Sequence, residues 1–297
     1  MIRVSVPASS ANMGAGFDCM GIALTMRNTV EMELSDTVDI VNELGYDVSC
    51  DETNLIYKCA KRVFDIVGKP LPGLKITERS VIPMTRGLGS SSACTVAGVV
   101  GANELLGKPL DTGEIIDLAA CIEGHPDNTT PAIRGGFVAA LLQEGKVWQV
   151  RVPISHKLRF CAFIPDFELK TEKARGVLPQ TVPFGDAVFN LSRAALFAGS
   201  LVAGDLHNMI VATEDCLHQP YRFDLIEDGK KVIEQAKSIG ALGAYISGAG
   251  PTIMAIVDRE DTGFEIRAKV RFSEMLPKWK PVMLDCDETG VTVERVD

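Results

Sequence analysis

The sequence predicts a chain that mixes helices and strands in irregular order. Two periodicities carry that expectation. Val30-Glu31-Met32-Glu33-Leu34 alternates apolar and acidic residues with period two, the mark of a half-buried strand. Leu55, Ile56, Cys59, Ala60, Val63, Phe64 and Val67 recur on one helical face, which predicts an amphipathic helix over 54–67. Strand-like and helix-like runs follow each other without an internal repeat or a low-complexity segment. With 46% hydrophobic residues in 297, the chain can bury one large core or two smaller ones.

The elements follow in order. Residues 2–6 and 30–41 read as extended, and 73–82 as a strand ending at Pro83. Residues 90–106 are small and apolar almost all round, which predicts a buried helix stopped by Gly107 and Pro109. Asp111 with Glu114 three residues on opens another helix that runs to about Ile122. Residues 136–164 hold three strand candidates. Helices are expected near 187–202, 230–239 and 263–275, and strands at 243–247, 252–258, 281–285 and 291–296. A domain boundary is expected near 150–165.

Charge and cysteine usage exclude several classes. There are 30 Lys+Arg against 39 Asp+Glu, a net charge of −9, and no basic run, so a nucleic-acid partner is not expected. No stretch reaches the ~18–20 apolar residues that span a bilayer, and the N-terminus reads as a strand and not as a signal peptide. The eight cysteines are scattered without a Cys-x-x-Cys pair, which suits a reducing cytoplasm better than a disulfide framework or a zinc site.

The segment Pro83-Met84-Thr85-Arg86-Gly87-Leu88-Gly89-Ser90-Ser91-Ser92-Ala93 joins a strand to the long buried helix. Its glycines let the backbone approach a ligand, and the free N–H groups at the helix start, with the helix dipole, favour an anion such as phosphate. It is not a P-loop, for it has no Lys, and not a Rossmann turn, for Ser92 stands where a third Gly is needed. The protein-kinase signatures are absent.

Two further segments join it. They are Pro7-Ala8-Ser9-Ser10-Ala11-Asn12-Met13-Gly14-Ala15-Gly16-Phe17-Asp18 and Ser247-Gly248-Ala249-Gly250-Pro251-Thr252. In order and spacing the three resemble the signature motifs of the GHMP kinases. Glu123-Gly124-His125-Pro126-Asp127-Asn128, Ala174-Arg175-Gly176-Val177-Leu178-Pro179 and His218-Gln219-Pro220-Tyr221-Arg222 point within that family to its homoserine kinase branch. The resemblance spans nearly the whole chain. Met13 and Ala15 depart from the usual Leu and Pro, and Ser92 and Thr130 from common Ala residues, without loss of a polar functional group.

The resemblance implies an α+β, two-domain GHMP-kinase fold. Residues 1–155 would form an ATP-binding domain like ribosomal protein S5 domain 2, and 156–297 a ferredoxin-like domain, with the site between them. It implies transfer of the ATP γ-phosphoryl group to the hydroxyl of L-homoserine, a step of threonine biosynthesis, with Mg²⁺, in a cytoplasmic homodimer. Pro83, Met84, Thr85, Arg86, Gly87, Leu88, Gly89, Ser90, Ser91, Ser92 and Ala93 would wrap the phosphates by backbone N–H groups. Ser91 and Glu123 would hold the metal, and Asn54 would contact adenine, a role that does not exclude its capping a helix.

On the acceptor side, Asp18 with Asn12 would take the ammonium, and Arg175 and Arg222 the carboxylate. His125 and Asn128 would complete the pocket, and Thr171 would orient the reacting hydroxyl. Asn128 stands seven residues before Gly135-Gly136, where other branches of the family carry a catalytic Asp. An amide cannot accept the proton, so the reaction would run without a strong base. The proton would pass to the γ-phosphate or to Asp127. A non-catalytic ligand sensor of the same fold would lose the metal ligand or the phosphate turn, and this chain keeps both. A kinase for another small alcohol, such as mevalonate, is the alternative within the family.

Overall fold

The computed structural model describes residues 1–152, 154 and 156–296. It contains two sheets. The first has seven strands: β1 (Ile2–Ala11), β2 (Met20–Leu34), β3 (Asp39–Asn42), β4 (Leu74–Arg79), β5 (Phe137–Gln143), β6 (Lys146–Val152) and β11 (Thr292–Arg295). The order β11-β1-β2-β4-β3 forms its main path, while β5 pairs with both β2 and β6. The second has β7 (Leu158–Pro165), β8 (Gly243–Ile246), β9 (Ile253–Asp258) and β10 (Trp279–Leu284), in the antiparallel order β10-β7-β9-β8. That order is the ferredoxin-like one, and the class is α+β.

Four helices accompany the first sheet: α1 (Leu55–Val67), α2 (Ser90–Leu105), α3 (Thr112–Glu123) and α4 (Thr129–Arg134). The second half carries α5 (Thr171–Gly176), α6 (Phe184–Ala203), α7 (Met209–Ala212), α8 (Gln219–Arg222), α9 (Gly229–Ser238) and α10 (Phe264–Met275). Helix α2 is the central one. It packs on α1, α3, α4 and β1, with residues 95–103 buried without interruption. A helix apolar on every side is stable only when covered on every side. Gly98 and Gly101 make that possible, because a Cβ there would meet the Ile56 carbonyl oxygen at 2.5 Å and Met32 Sδ at 2.3 Å. Helix α3 opens on the expected capping box of Asp111 and Glu114.

Four expectations are revised. The extended run at 30–41 is two strands: β2 begins ten residues earlier, at Met20, and β3 follows a bend, parallel to β4. Strand β1 runs on to Ala11, past a register shift between Pro7 and Ala8. A bulge of this kind re-aims a strand end. The C-terminal strand β11 joins the first sheet, on the outer edge of β1, so the chain after 156 contributes to both sheets. The short helices α4, α5, α7 and α8, of four to six residues, were not expected. Such segments are too short to show a period. Among the described residues no helix is long and apolar enough to cross a membrane.

Candidate functional site

Three loops converge where the two sheets meet. The turn between β4 and α2 enters helix α2 at Gly89, with φ 72° and no side-chain cap. The first N–H groups of a buried helix, with its dipole, are therefore aimed at the adjoining cavity. The turn is clamped from both flanks. Ser9 N donates to the Leu88 carbonyl (3.1 Å), Ser247 Oγ to the Gly87 carbonyl (2.6 Å), and Thr252 N to the Arg86 carbonyl (3.2 Å). The 247–252 loop thus buttresses the turn, and it is tied in turn to the first motif by Gly248 N on the Ala11 carbonyl (3.0 Å).

A cavity of about 520 Å³ opens there. Its wall includes Thr85, Arg86, Gly87, Gly89, Ser90, Ser91, Ser92 and Glu123 at one end. At the other stand Asn12, Asp18, His125, Asn128, Thr171, Arg175 and Arg222. One cleft therefore brings together the residues that the sequence assigned to phosphate and to acceptor.

At the phosphate end, Glu123 closes helix α3 and accepts three hydroxyls, from Ser91 (3.2 Å), Ser92 (2.9 Å) and Thr95 (2.8 Å). One carboxylate and hydroxyl oxygens beside free N–H groups form a hard-oxygen set that suits Mg²⁺ next to phosphate. Thr95 was not singled out from the sequence, although it lies one helical turn beyond Ser91 and Ser92.

At the acceptor end, Arg175 on α5 grips both oxygens of Asp18, at 2.6 and 3.0 Å. That bond raises the Arg175 pKa, against some desolvation. Arg222 on α8 is 1% exposed. Its Nε donates to the Ala174 carbonyl (3.3 Å) and its Nη1 to the Gly248 carbonyl (2.9 Å) and to His218 Nδ1 (3.1 Å). Burial first, then the charge of Arg175, lowers its pKa to about 10. Phe17 lies between the two guanidinium groups, 5.5 Å from Arg175 and 5.3 Å from Arg222.

His218 lies behind the acceptor end, fully buried, and its surroundings fix its chemistry. A guanidinium can only donate, so Nδ1 carries the lone pair. Nε2 faces the Gly14 carbonyl at 2.8 Å, so it carries the proton. Burial is the largest cause that lowers its pKa, to about 4. Asp215 beneath it accepts from Asn190 Nδ2 (2.6 Å) and from the amides of Leu217, His218 and Gln219. His125 behaves oppositely. Burial opposes its charged form, but its 2.6 Å hydrogen bond to Asp127 and the charge of Asp127 outweigh that, and the net shift is upward.

Several side chains of the assigned residues are occupied elsewhere. Asn54 caps α1: Oδ1 accepts from Ile56 N and Tyr57 N, and Nδ2 donates to the Ser49 carbonyl and to Glu78. Its amide has no hydrogen-bonding capacity left for a base, although it borders a second cavity of about 390 Å³ with Leu55, Glu78, Met84 and Cys94. Leu88 and Ala93 are core side chains, 0% and 1% exposed, so they can offer only backbone. Pro83 lines neither cavity. The Arg86 side chain turns away to the Pro165 and Asp166 carbonyls. Asn12 holds its own loop, Nδ2 on the Gly248 carbonyl (2.7 Å) and Oδ1 under Asp18 N (3.0 Å), so it positions Asp18 and does not reach for an ammonium itself. Asn128 Oδ1 accepts from Ser9 Oγ (2.8 Å).

A two-sheet molecule with a phosphate-type turn in the cleft defines a class of small-molecule kinase. The GHMP kinases N-terminal domain model matches residues 54–136 and the GHMP kinases C-terminal model residues 197–274. The chain belongs to the GHMP kinase family and is an ATP-dependent kinase. It is 47% identical over 297 residues to a homoserine kinase of Caldicellulosiruptor saccharolyticus, across 99% of this chain and 96% of that one. To a homoserine kinase of Clostridium botulinum it is 43% identical over 293 residues, across 99% and 98%. The crystal structure of homoserine kinase from Cytophaga hutchinsonii superposes with a TM-score of 0.87 at 28% identity, over 99% of this chain and 97% of that one.

Proposed function

We propose that the protein transfers the γ-phosphoryl group of ATP to the side-chain hydroxyl of L-homoserine, giving O-phospho-L-homoserine and ADP. The observation that carries this is the charge pattern of the acceptor end: one carboxylate, Asp18, and two guanidinium groups, Arg175 and Arg222, beside the phosphate turn. Mevalonate or a sugar has no ammonium for Asp18 to meet. A zwitterion inserted between Asp18 and Arg175 replaces each charge's partner with one of the same sign, so neither group is left unpaired. Arg222, held by two carbonyls and His218, adds a second cation that cannot swing away.

The ATP phosphates lie on the N–H groups at the start of α2, with the base in the smaller cavity beside Asn54 and Met84. Ser91 and Glu123 would hold Mg²⁺, with the Ser92 and Thr95 hydroxyls orienting the carboxylate. When bound, the ion neutralises charge on the phosphates. Thr171, the first residue of α5, stands in the cleft one helical turn from Arg175 and orients the acceptor hydroxyl. The hydroxyl oxygen forms a bond to Pγ, the bond from Pγ to the β–γ bridging oxygen breaks, and the hydroxyl proton passes to a phosphate oxygen. Asn128 cannot take that proton. Asp127, 2% exposed, is held by His125 and sets that ring's orientation. Placement and charge neutralisation then supply the catalysis.

ADP release measured with homoserine, mevalonate, galactose and serine tests the reading. A kcat/KM for homoserine at least ~100-fold above mevalonate and galactose is expected, since a pocket built for two charges discriminates against acceptors that lack them, and at least ~10-fold above serine, which carries both charges but holds its hydroxyl one methylene short. Equal turnover of mevalonate overturns it.

A further inference from the structure

Phe17 is an aromatic side chain outside both cores. It is half-buried, yet among the described residues it packs into neither hydrophobic cluster. The Arg175 guanidinium lies 5.5 Å from its ring, the Arg222 guanidinium 5.3 Å and the His218 ring 5.2 Å. A ring whose neighbours are two cations and an imidazole contributes through its π-face more than through buried apolar area. It does not line the cavity, so it can act on an acceptor only through the groups it touches.

The loop that carries Phe17 is strained and firmly held. Asn12, Met13 and Asp18 have φ of 69°, 43° and 52°, in the left-handed region that residues other than glycine seldom adopt. Such strain persists only where surrounding contacts over-determine the backbone, and it gathers at ligand sites. Here Asp18 N donates to Asn12 Oδ1 (3.0 Å), His218 Nε2 to the Gly14 carbonyl (2.8 Å) and Asn190 Nδ2 to the Ala15 carbonyl (3.4 Å). The ring is therefore a fixed wall and not a mobile cover.

The two guanidinium groups need that wall unequally. Arg222 is pinned by two carbonyls and His218. Arg175 is half-exposed on the six-residue α5, and all its hydrogen bonds among the described residues go to Asp18. Asp18 is the group that an incoming ammonium takes. Once it is taken, Arg175 has the like charge of Arg222 beside it and solvent within reach. We propose that Phe17 is a positioning residue for the acceptor: its ring keeps the released Arg175 guanidinium beside Arg222, so that both meet the substrate's carboxylate. This role rests on the acceptor reading given above. A carboxylate that had to recruit Arg175 from solvent would bear the entropic cost of ordering a long side chain, and affinity would fall without any change in the chemical step.

Initial rates give the first test. Phe17→Leu keeps an apolar side chain and removes the π-face, so KM for homoserine should rise ~10-fold while kcat and KM for ATP stay within ~3-fold. Phe17→Tyr restores the face and should bring that KM back to within ~3-fold of the native value. In an Arg175→Ala background Phe17→Leu should add less than ~2-fold, because the ring acts through that guanidinium, whereas a ring that only supports its loop would add its full factor. Should Phe17→Leu not fold, Phe17→Met takes its place. A native KM in the Leu variant, a Tyr variant no better than Leu, or the full factor in the Arg175→Ala background overturns the proposal. Arginine side-chain NMR without substrates separates this role from the choice of acceptor. The Arg175 Nε–H signal should carry a ring-current shift that Phe17→Leu abolishes and Phe17→Tyr retains. If it does so while homoserine releases no ADP, the acceptor reading fails and the hold of the ring on Arg175 stands. Absence of a ring-dependent shift overturns the proposal at any level of turnover.

Discussion

Two side chains in the cleft and one buried behind it differ in what their removal would cost. Glu123→Ala deletes the one carboxylate beside the phosphate turn and frees three hydroxyls that now converge on it. A fall in kcat of at least ~10²-fold is expected if the carboxylate holds the metal; near-normal turnover removes Glu123 from the site. Arg175→Ala removes a bidentate grip worth about 2 kcal/mol at a half-exposed position, so KM for homoserine should rise ~30-fold while KM for ATP stays within ~3-fold. Equal rises would place the guanidinium against the nucleotide. His218 reports on pH. Its pKa is lowered to about 4 in the folded chain, against about 6.5 when unfolded, so the unfolded state binds the extra proton between those values. Stability from this group is present above pH 6.5 and is lost as pH falls toward 4, with a slope of up to about 1.4 kcal/mol per pH unit. Gln can accept from Arg222 and donate to the Gly14 carbonyl without titrating. His218→Gln should therefore keep KM for homoserine within ~3-fold and flatten the acid limb of denaturant stability; an unchanged limb would show that the ring does not stay neutral.

At the scale of elements, long periodic segments were legible in the sequence and short ones were not. Helices α1, α2 and α3 announced themselves by face, by all-round apolarity and by a capping box, because each is long enough for tertiary burial to impose a period. Helices α5 and α8, which carry Arg175 and Arg222, run six and four residues and have no period to read. Their function was visible only as local motifs. The readings that failed at the site share one cause. Asn12 and Asn54 are polar residues in motifs, yet each satisfies nearby backbone carbonyls or amides, and sequence does not show which partner wins. What the phosphate turn needs from its glycines is clear from the packing. Gly87 has φ 74°, and a Cβ there would lie 2.3 Å from the Ser247 carbonyl oxygen and 2.7 Å from that of Gly250. Gly87→Ala combines about 1–2 kcal/mol of left-handed strain with displacement of a backbone that supports the turn. We expect KM for ATP to rise at least ~10-fold with a smaller change for homoserine, as read by initial rates; unaltered ATP kinetics would mean that the turn tolerates retreat of the 247–252 loop.

The whole molecule joins two sheets through the cleft, yet the chain's end returns to the first sheet. β11 covers the outer edge of β1, pairing Val293 with Val4 and Thr292 with Ser5, and Val291 and Val293 pack against the large core. Nothing in β11 lines either cavity of the site. The strand therefore acts on stability and on edge protection and not on chemistry. Ending the chain at Gly290 keeps the Arg27 contact to the Gly290 carbonyl (2.8 Å) and removes the two partly buried valines and the pairing along Ile2–Ser5. The valines alone contribute about 2 kcal/mol, which in a chain of this size corresponds to a fall in Tm of roughly 3 °C. Below that temperature kcat and both KM values should match the full chain, while the bared edge of β1 makes the truncated protein aggregate sooner on heating. Light scattering and activity along one thermal ramp separate the two effects. A change in KM for homoserine well below the melting range would mean that β11 holds β1 in the register that delivers Ser9 and Asn12 to the cleft. The edge strand would then have to be counted among the elements that shape the acceptor pocket.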